Sequence, residues 1–562
     1  MTARSSSAAA VKKSPEELDA FVRRYKALGP TAEDAGFLEA VLSSYAYLTE
    51  LLRDKQTSIT RLRNALFGST SERRENVFPA PSAEAATSPT SRPAEAGSRK
   101  APVKGHGRNS ARAYPGARKV AVAHEALRAG SPCPQCPGKV YARSQPRRLV
   151  RIVGVAPFAA TVYEQERLRC NLCGEVFTAK APEGVGEEKY DATAVSMVAL
   201  LRYGSGLPLY RIEKLQESVG VPLPASTQWD LVHEAAPGFS LVHEVLRRLA
   251  AQGELLHNDD TPMVILAYLK EEKERRARGE EKSERTGVFT TGIVAVAGGR
   301  RIVLYATGHQ HAGENLTDVL SLRDPALPPP MQMCDGLERN LPDVLKTVVA
   351  NCLTHGRRQF VDVANSFPEE VRHVVDELAI VYKNDARAKA ESMSLAARLL
   401  FHQRESGPVM DRLKTWLDDL LVTKKVEPNS SLGGAVHYAI KRWERLTLFL
   451  RREGAPLDNT ETERMLKRAI LHRKNSLFYK TQNGADVGDV LMSLIATARA
   501  NGADPFDYLT EMQRHAKEVA KNPAEWMPWN YRETLARLRR TSAPPPSSAA
   551  SPPAPPPPAP PA

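Results

Sequence analysis

Apolar positions along the chain change period several times, and each change marks an element. From Val41 the residues Tyr45, Leu48, Leu52, Lys55, Ile59, Leu62 and Leu66 alternate spacings of four and three. That 3.5-residue repeat predicts a helix with a narrow apolar seam: a short coiled coil and a dimer contact, or an intramolecular helix packed on another domain. From Leu207 the pattern reads helix, turn, helix. Leu209, Ile212, Leu215 and Val219 share a face, Pro222 and Pro224 interrupt it, and Ser226-Thr227 is read as the cap of a second helix. The period then drops to that of strands at Glu254-Leu-Leu-His, from Gly287 to Val296, at Arg301-Ile-Val-Leu-Tyr-Ala and at Met331-Gln-Met-Cys. A helix is expected over Glu314 to Leu322 and a further strand within Leu345 to Leu353. Residues 359–452 are helical in pattern, as if a helical block were inserted into an α/β domain.

Composition fills in the stretches between. With 562 residues there is room for three or four domains. The last 22 residues hold 11 of the 42 prolines and cannot build a core, so a disordered tail is expected. Residues 76–116 are rich in Ala, Ser, Pro and Gly, with Arg99, Lys100, Lys104, Arg108 and Arg112 in the later part. A solvated linker and a flexible arm on a phosphate backbone are equal readings of it. The net charge of +13 favours a polyanionic partner. No apolar run approaches a membrane span, and the opening Met-Thr-Ala-Arg-Ser-Ser-Ser has no secretory core, so a cytoplasmic protein is expected.

Six cysteines in this length exclude a disulfide scaffold. Four of them form two C-x-x-C pairs, Cys133/Cys136 and Cys170/Cys173. Four thiolates suit a closed, tetrahedral, structural zinc site, and the β-like stretches between the pairs suit a small ribbon. Cys334 and Cys352 read as buried small apolar residues.

Three acidic residues stand in distinctive places. Asp259 and Asp335 each end a strand, and Glu463 lies on a helix. Hard oxygen ligands converging from two strands and a helix suit magnesium or manganese, and two such ions suit phosphodiester chemistry. In a chain with 65 acidic residues, composition alone would not select this triad. Glu463 is followed by Arg464, Lys467, Arg468, Arg473 and Lys474, and Arg357 and Arg358 follow Asp335. These are candidate phosphate contacts, or surface ion pairs such as Glu463 with Lys467. Trp443 could stack on a base, but its spacing with Ile440 and Leu446 reads as core.

These motifs in this order resemble the large (TnpC-type) transposase of bacterial insertion sequences of family sixty-six. The carriers are Leu66-Phe-Gly-x-x-Ser-Glu-Arg73, the two knuckles, Leu207-Pro-Leu-Tyr-Arg211 and Asp259-Asp-Thr-Pro262. Gln332-Met-Cys-Asp335-Gly, Cys352-x-x-His-x-Arg-Arg358, Asp458-Asn-x-x-x-Glu463-Arg464 and Arg473-Lys-Asn-x-Leu-Phe478 complete the series. The family usually has Glu where Asp260 stands, and many members carry a Tyr after the second Asp, where this chain reads Gly-Leu-Glu-Arg-Asn340.

The resemblance implies a multidomain α/β protein with a ribonuclease-H-like catalytic domain and an Asp259, Asp335, Glu463 triad; Asp260 and Asp458 are the nearest alternatives. It implies two catalytic magnesium or manganese ions, strand cleavage and transfer on double-stranded DNA (element ends and target), a homo-oligomer, nucleoid association in a bacterium, and two small accessory proteins. The expected layout is a helical or coiled-coil region (1–73), a disordered basic linker (74–118), a zinc-ribbon-like domain (119–182) and a helix-turn-helix-like segment (183–250). The catalytic domain (251–500), with its insertion near 359–452, a helical region (501–540) and the disordered tail (541–562) follow. Two other functions fit the residues: a zinc-ribbon DNA-binding regulator with a vestigial catalytic domain, and a nuclease that cleaves without joining.

Overall fold

The computed structural model describes residues 23–25, 126–141, 156–169, 176–185, 188–283, 285–343 and 345–542. The expected coiled coil, the basic linker, Cys170, Cys173 and the proline-rich tail from residue 543 lie outside them. The chain divides into two packed units, one spanning 81–157 and the other holding the remainder.

In the smaller unit a tight hairpin carries the first cysteine pair. Pro132 bridges Lys139 in antiparallel fashion, and Cys133 N–H donates to the Gly138 carbonyl at 2.8 Å.

Past residue 157 the larger unit carries a short antiparallel pair, β1 (Arg167–Arg169) and β2 (Val176–Thr178), in which Arg169 opposes Val176. The second C-x-x-C falls in the segment that joins them. Helices α1 (Ala192–Ala199), α2 (Leu209–Ser218) and α3 (Ala225–Ala251) follow. The second member of the expected helix-turn-helix differs from its sequence reading. It starts at Ala225 behind Pro224, so Ser226 and Thr227 lie in the first turn and do not cap it, and it runs 27 residues. Val232, Ala236, Phe239, Val242, Leu246 and Ala250 recur every three or four positions and are buried in the main core. Tertiary burial of that stripe extends the helix well beyond a short recognition helix.

The centre is a five-stranded mixed sheet of order β5-β4-β3-β6-β7. Its strands are β3 (Leu255–Pro262), β4 (Phe289–Ala297), β5 (Arg300–Gly308), β6 (Met331–Cys334) and β7 (Val348–Asn351). Helix α4 (Leu266–Ala277) separates β3 from β4, and α5 (Ala312–Leu320) leads toward β6. β3, β4 and β5 form an antiparallel meander, while β6 and β7 run parallel to β3. The β4–β5 turn is Gly298-Gly299, both at positive φ (54° and 74°), because a two-residue hairpin with the strands' own twist needs left-handed backbone.

Helices α6 (Leu353–Val361), α7 (Pro368–Ala390), α8 (Leu395–Glu405), α9 (Gly407–Val422), α10 (Ser431–Lys441) and α11 (Trp443–Leu446) form the helical block. It has its own core, built on Val371, Leu378, Leu413, Leu417, Val436 and Phe449. Trp443 is buried in that core beside Leu446, as its spacing predicted. The chain then returns through α12 (Thr460–Ser476) and α13 (Gln482–Ala500).

Helix α13 closes the sheet's β5 edge with side chains. Asp489, Ser493, Thr497 and Asn501 accept the backbone N–H groups of Thr307, Tyr305, Val303 and Arg301 at 2.6, 2.9, 3.0 and 3.3 Å. Four helical residues rise about 6 Å and two strand residues about 6.7 Å, so the two repeats stay in step over this length. The exposed row of edge donors is thereby satisfied without a sixth strand. Helices α14 (Pro505–Arg514), α15 (Ala516–Lys521) and α16 (Tyr531–Ser542) finish the described chain. Among the described residues no helix is long and apolar enough to cross a membrane.

Candidate active site

The parallel pair β3 and β6 sets the site. His257 opposes Met333, and two residues further along each strand come Asp259 and Asp335, the latter just past the end of β6. Strand alternation turns Asp259 and Asp260 to opposite faces. Asp260 is committed elsewhere: His311 Nδ1 lies 3.1 Å and Arg339 Nη2 3.4 Å from its carboxylate.

Asp259 Oδ1 accepts the Asp260 N–H at 2.8 Å. Burial, and then the charge of Asp335 with those of Asp260 and Glu463 added, pushes the Asp259 carboxyl up to about 7. Asp335 from the other strand end and Glu463 from a helix, together with the adjacent Asp260, thus act on Asp259. Glu463 is in the first turn of α12, and its Oε1 is buried with no hydrogen-bond partner. Asp458 instead accepts the Thr460 N–H at 3.1 Å, as a turn residue ahead of that helix.

A layer of buried amides holds these acids in place. Asn459 Oδ1 meets His257 Nδ1 at 2.9 Å, its Nδ2 donates to the Asn258 carbonyl, and its backbone N–H points at Cys352 Sγ. The start of α12 is thus pinned to β3. Asn340 Nδ2 donates to Asp335 Oδ1, while its carbonyl accepts from Asn258 and Gln332, both at 2.7 Å. Asn351 Nδ2 donates to the Asp335 carbonyl. From the helical block, Arg442 donates from Nε and Nη2 to the Gly336 carbonyl and stacks on Tyr438.

None of these supporting residues follows from apolar periodicity. The one available signal was a polar side chain inside an apolar strand, as with Gln332 between Met331 and Met333.

The basic candidates divide. Arg464, Lys467 and Lys474 are exposed and recur on one face of α12 with the exposed Leu471. Arg468 is half-buried, with Nη1 lacking a hydrogen-bond partner. Arg473 donates to Thr261 Oγ1 at 3.2 Å and to the Pro262 carbonyl at 2.6 Å, which ties α12 to the end of β3. Arg357 and Arg358 lie on α6, the first half-buried and the second exposed.

The all-oxygen donor set and the push of neighbouring carboxylates on Asp259 fit a divalent cation such as magnesium or manganese. At the first knuckle, the Gln135 amide and then the Cys136 side chain and amide draw the Cys133 thiol below its ordinary range. Two thiols in one hairpin fit half of a thiolate zinc site. Cys334 and Cys352 are fully buried, and burial pushes their thiols up to about 12 and about 11.

The sequence profile of the Transposase IS66 family matches residues 188–487, just over half of the chain. The chain belongs to the IS66 transposase family. The match takes in all three acids and every basic candidate, while both cysteine pairs precede it. Three curated relatives from Sinorhizobium fredii carry no assigned activity. The uncharacterized protein y4jD is 33% identical over 188 residues, 33% of this IS66-family chain and 36% of the relative. The uncharacterized protein y4hP is 25% identical over 66% of this chain and 68% of its own length. For y4qI the values are 23%, 60% and 62%. The chain thus spans about a third to two thirds of these relatives.

Proposed function

We propose that this IS66-family chain is a DNA transposase that binds the ends of an insertion sequence and catalyses strand cleavage and strand transfer through Asp259, Asp335 and Glu463. The observation that carries the reading is the electrostatic grouping of these three acids at the C-terminal ends of β3 and β6 and the start of α12. The sheet order, a three-stranded meander with two parallel strands added beside β3, supports a ribonuclease-H-like catalytic domain.

Asp259, Asp335 and Glu463 would hold magnesium or manganese. Two such ions, when bound, activate a nucleophile and stabilise the leaving oxygen in phosphodiester chemistry. Arg464, Lys467 and Lys474 supply an exposed cationic face for the DNA backbone, with Arg468 on the same helix and Arg357 and Arg358 on α6. Arg473, the amide layer and Arg442 keep the acids oriented. In cleavage, water forms the new P–O bond and the 3′-oxygen leaves as a free hydroxyl. In transfer, that hydroxyl attacks a target phosphodiester, with no covalent protein–DNA intermediate. The proposed layout gives Cys133, Cys136, Cys170 and Cys173 to a structural zinc ribbon within 119–182, and dimer contacts to the helix within 1–73. The accessory proteins remain proposed partners.

The test is labelled DNA carrying the element's ends, incubated with magnesium or manganese and the adjacent accessory proteins. Wild type should nick and join, and Asp259→Asn, Asp335→Asn and Glu463→Gln should each lose both products. End binding by wild type without chemistry under either metal would overturn the enzyme reading. Nicks without joined product would leave a nuclease.

A further inference from the structure

Beside the three acids lies a second cluster of different chemistry. Cys352 is the N-cap of α6, and His355 is in the first turn of that helix. The C-x-x-H spacing therefore places thiol and imidazole at the same helix end. Across from them the first turn of α12 presents Glu463. Cys352 Sγ, a His355 ring nitrogen and a Glu463 carboxylate oxygen all lie within 4.8 Å of one another. His355 Nδ1 and Glu463 Oε1 are 3.9 Å apart. Both atoms are buried and neither has a hydrogen-bond partner.

Two facing, buried, unsatisfied atoms are costly, and each would ordinarily find a donor or acceptor. A cation between them relieves both. The Asn459 N–H also points at the sulfur from 3.2 Å.

We propose that Cys352, His355 and Glu463 form a second divalent-cation site, suited to a borderline-soft ion such as zinc. Sulfur, nitrogen and oxygen together select zinc over magnesium, which takes oxygen donors. Ligand bonds of about 2.0–2.3 Å to such an ion require the three atoms to close by less than an ångström. Three protein ligands leave the fourth position open. The site shares Glu463 with the carboxylate cluster, so an ion here couples to occupancy there; that coupling, unlike the site itself, rests on the transposase reading.

The test uses the full chain. Bound zinc is counted after equilibrium dialysis, and cobalt(II) is titrated while the thiolate-to-cobalt absorption is followed. Wild type should bind one zinc more than Cys352→Ser and lose part of its thiolate–cobalt absorption in that variant. His355→Gln alters a partly exposed side chain and keeps the thiol, so it guards against misfolding of the first variant. It should bind this ion at least tenfold more weakly. The thiolates at Cys133, Cys136, Cys170 and Cys173 contribute equally to all variants and cancel. Equal zinc counts and equal spectra in wild type and both variants would overturn the site. Asp259→Asn should keep the additional ion even though it abolishes cleavage, so failure of the zinc site and failure of the transposase reading give different results.

Discussion

Arg442 donates from both Nε and Nη2 to the carbonyl oxygen of Gly336, at 3.2 and 2.9 Å. Gly336 follows Asp335 directly, so an arginine from the helical block braces the backbone that carries a candidate metal ligand. The residue at 336 has no room for a side chain: a Cβ there would stand 2.5 Å from Arg442 Nε and Tyr438 Oη.

Gly336→Ala should therefore displace either Asp335 or the arginine. A shift of about 1 Å in a catalytic group costs on the order of 100-fold in rate. End cleavage by Gly336→Ala should fall by about that factor while end binding persists. Adding Arg442→Ala removes one of the two obstructions, leaving Tyr438 Oη, and should recover part of the rate. A double variant no faster than Gly336→Ala would show that Tyr438 alone suffices to hold the new methyl group off.

Asn459 makes a different contribution. Its side chain joins His257 and the backbone of Asn258 to the start of α12, four residues before Glu463. Asn459→Ala leaves His257 Nδ1 and the Asn258 carbonyl buried without partners, at about 1–3 kcal/mol. Urea unfolding should report a loss in that range. Cleavage should fall further than stability alone explains, because Glu463 loses its register against Asp259.

The elements themselves were legible because apolar spacing is a direct record of burial. The strands carrying Asp259 and Asp335 and the helical block all follow from it. The boundary errors have the same origin: α3 runs to 27 residues because its far half packs on the core, and the block's first helix starts at Leu353 and not at residue 359. The three acids were singled out by context, and their mutual influence at Asp259 fits that choice. What stayed hidden is the polar layer. Asn258, Gln332, Asn340, Asn351 and Asn459 bond across 5 to 202 positions of sequence, and such pairings leave no period. Arg473 was read as a phosphate contact from charge alone, while its guanidinium is already shared between Thr261 and Pro262.

That difference predicts two kinds of arginine and lysine on α12. Lys467→Ala and Lys474→Ala remove exposed charges, so each should lower the slope of log binding constant against log salt by about 1. Thermal unfolding should barely change for either. Arg473→Ala should lower the melting temperature, because two bonds to the end of β3 vanish, and should change the salt slope less than Lys467→Ala. Titrations of end DNA at several salt concentrations, paired with melting curves, separate the two behaviours. Equal slopes and equal melting for all three variants would refute the division.

The edge closure between α13 and β5 includes a buried carboxyl. Asp489 is fully buried, accepts the Thr307 N–H and pairs with Thr307 Oγ1, and burial pushes its carboxyl up to about 8. In the unfolded chain the same group titrates near its ordinary value of 3.8. Between these values the folded protein holds a proton that the unfolded protein has released. Raising the pH through this window therefore favours unfolding, by about 1.4 kcal/mol for each pH unit from this group alone. The contribution is fully retained below about pH 4 and flattens again above about pH 8, once both states are ionised. Asn is the neutral isostere: its Oδ1 can accept from Thr307 N–H and its Nδ2 can donate to Thr307 Oγ1, which can in turn donate to Thr290 Oγ1, 2.8 Å away. Asp489→Asn should thus match wild type below about pH 4 and gain on it steadily toward pH 8. Other titrating groups act on both proteins and cancel in the difference. Chemical unfolding of the pair at several pH values reads that difference directly, and a flat difference would mean that Asp489 is ionised in the folded chain.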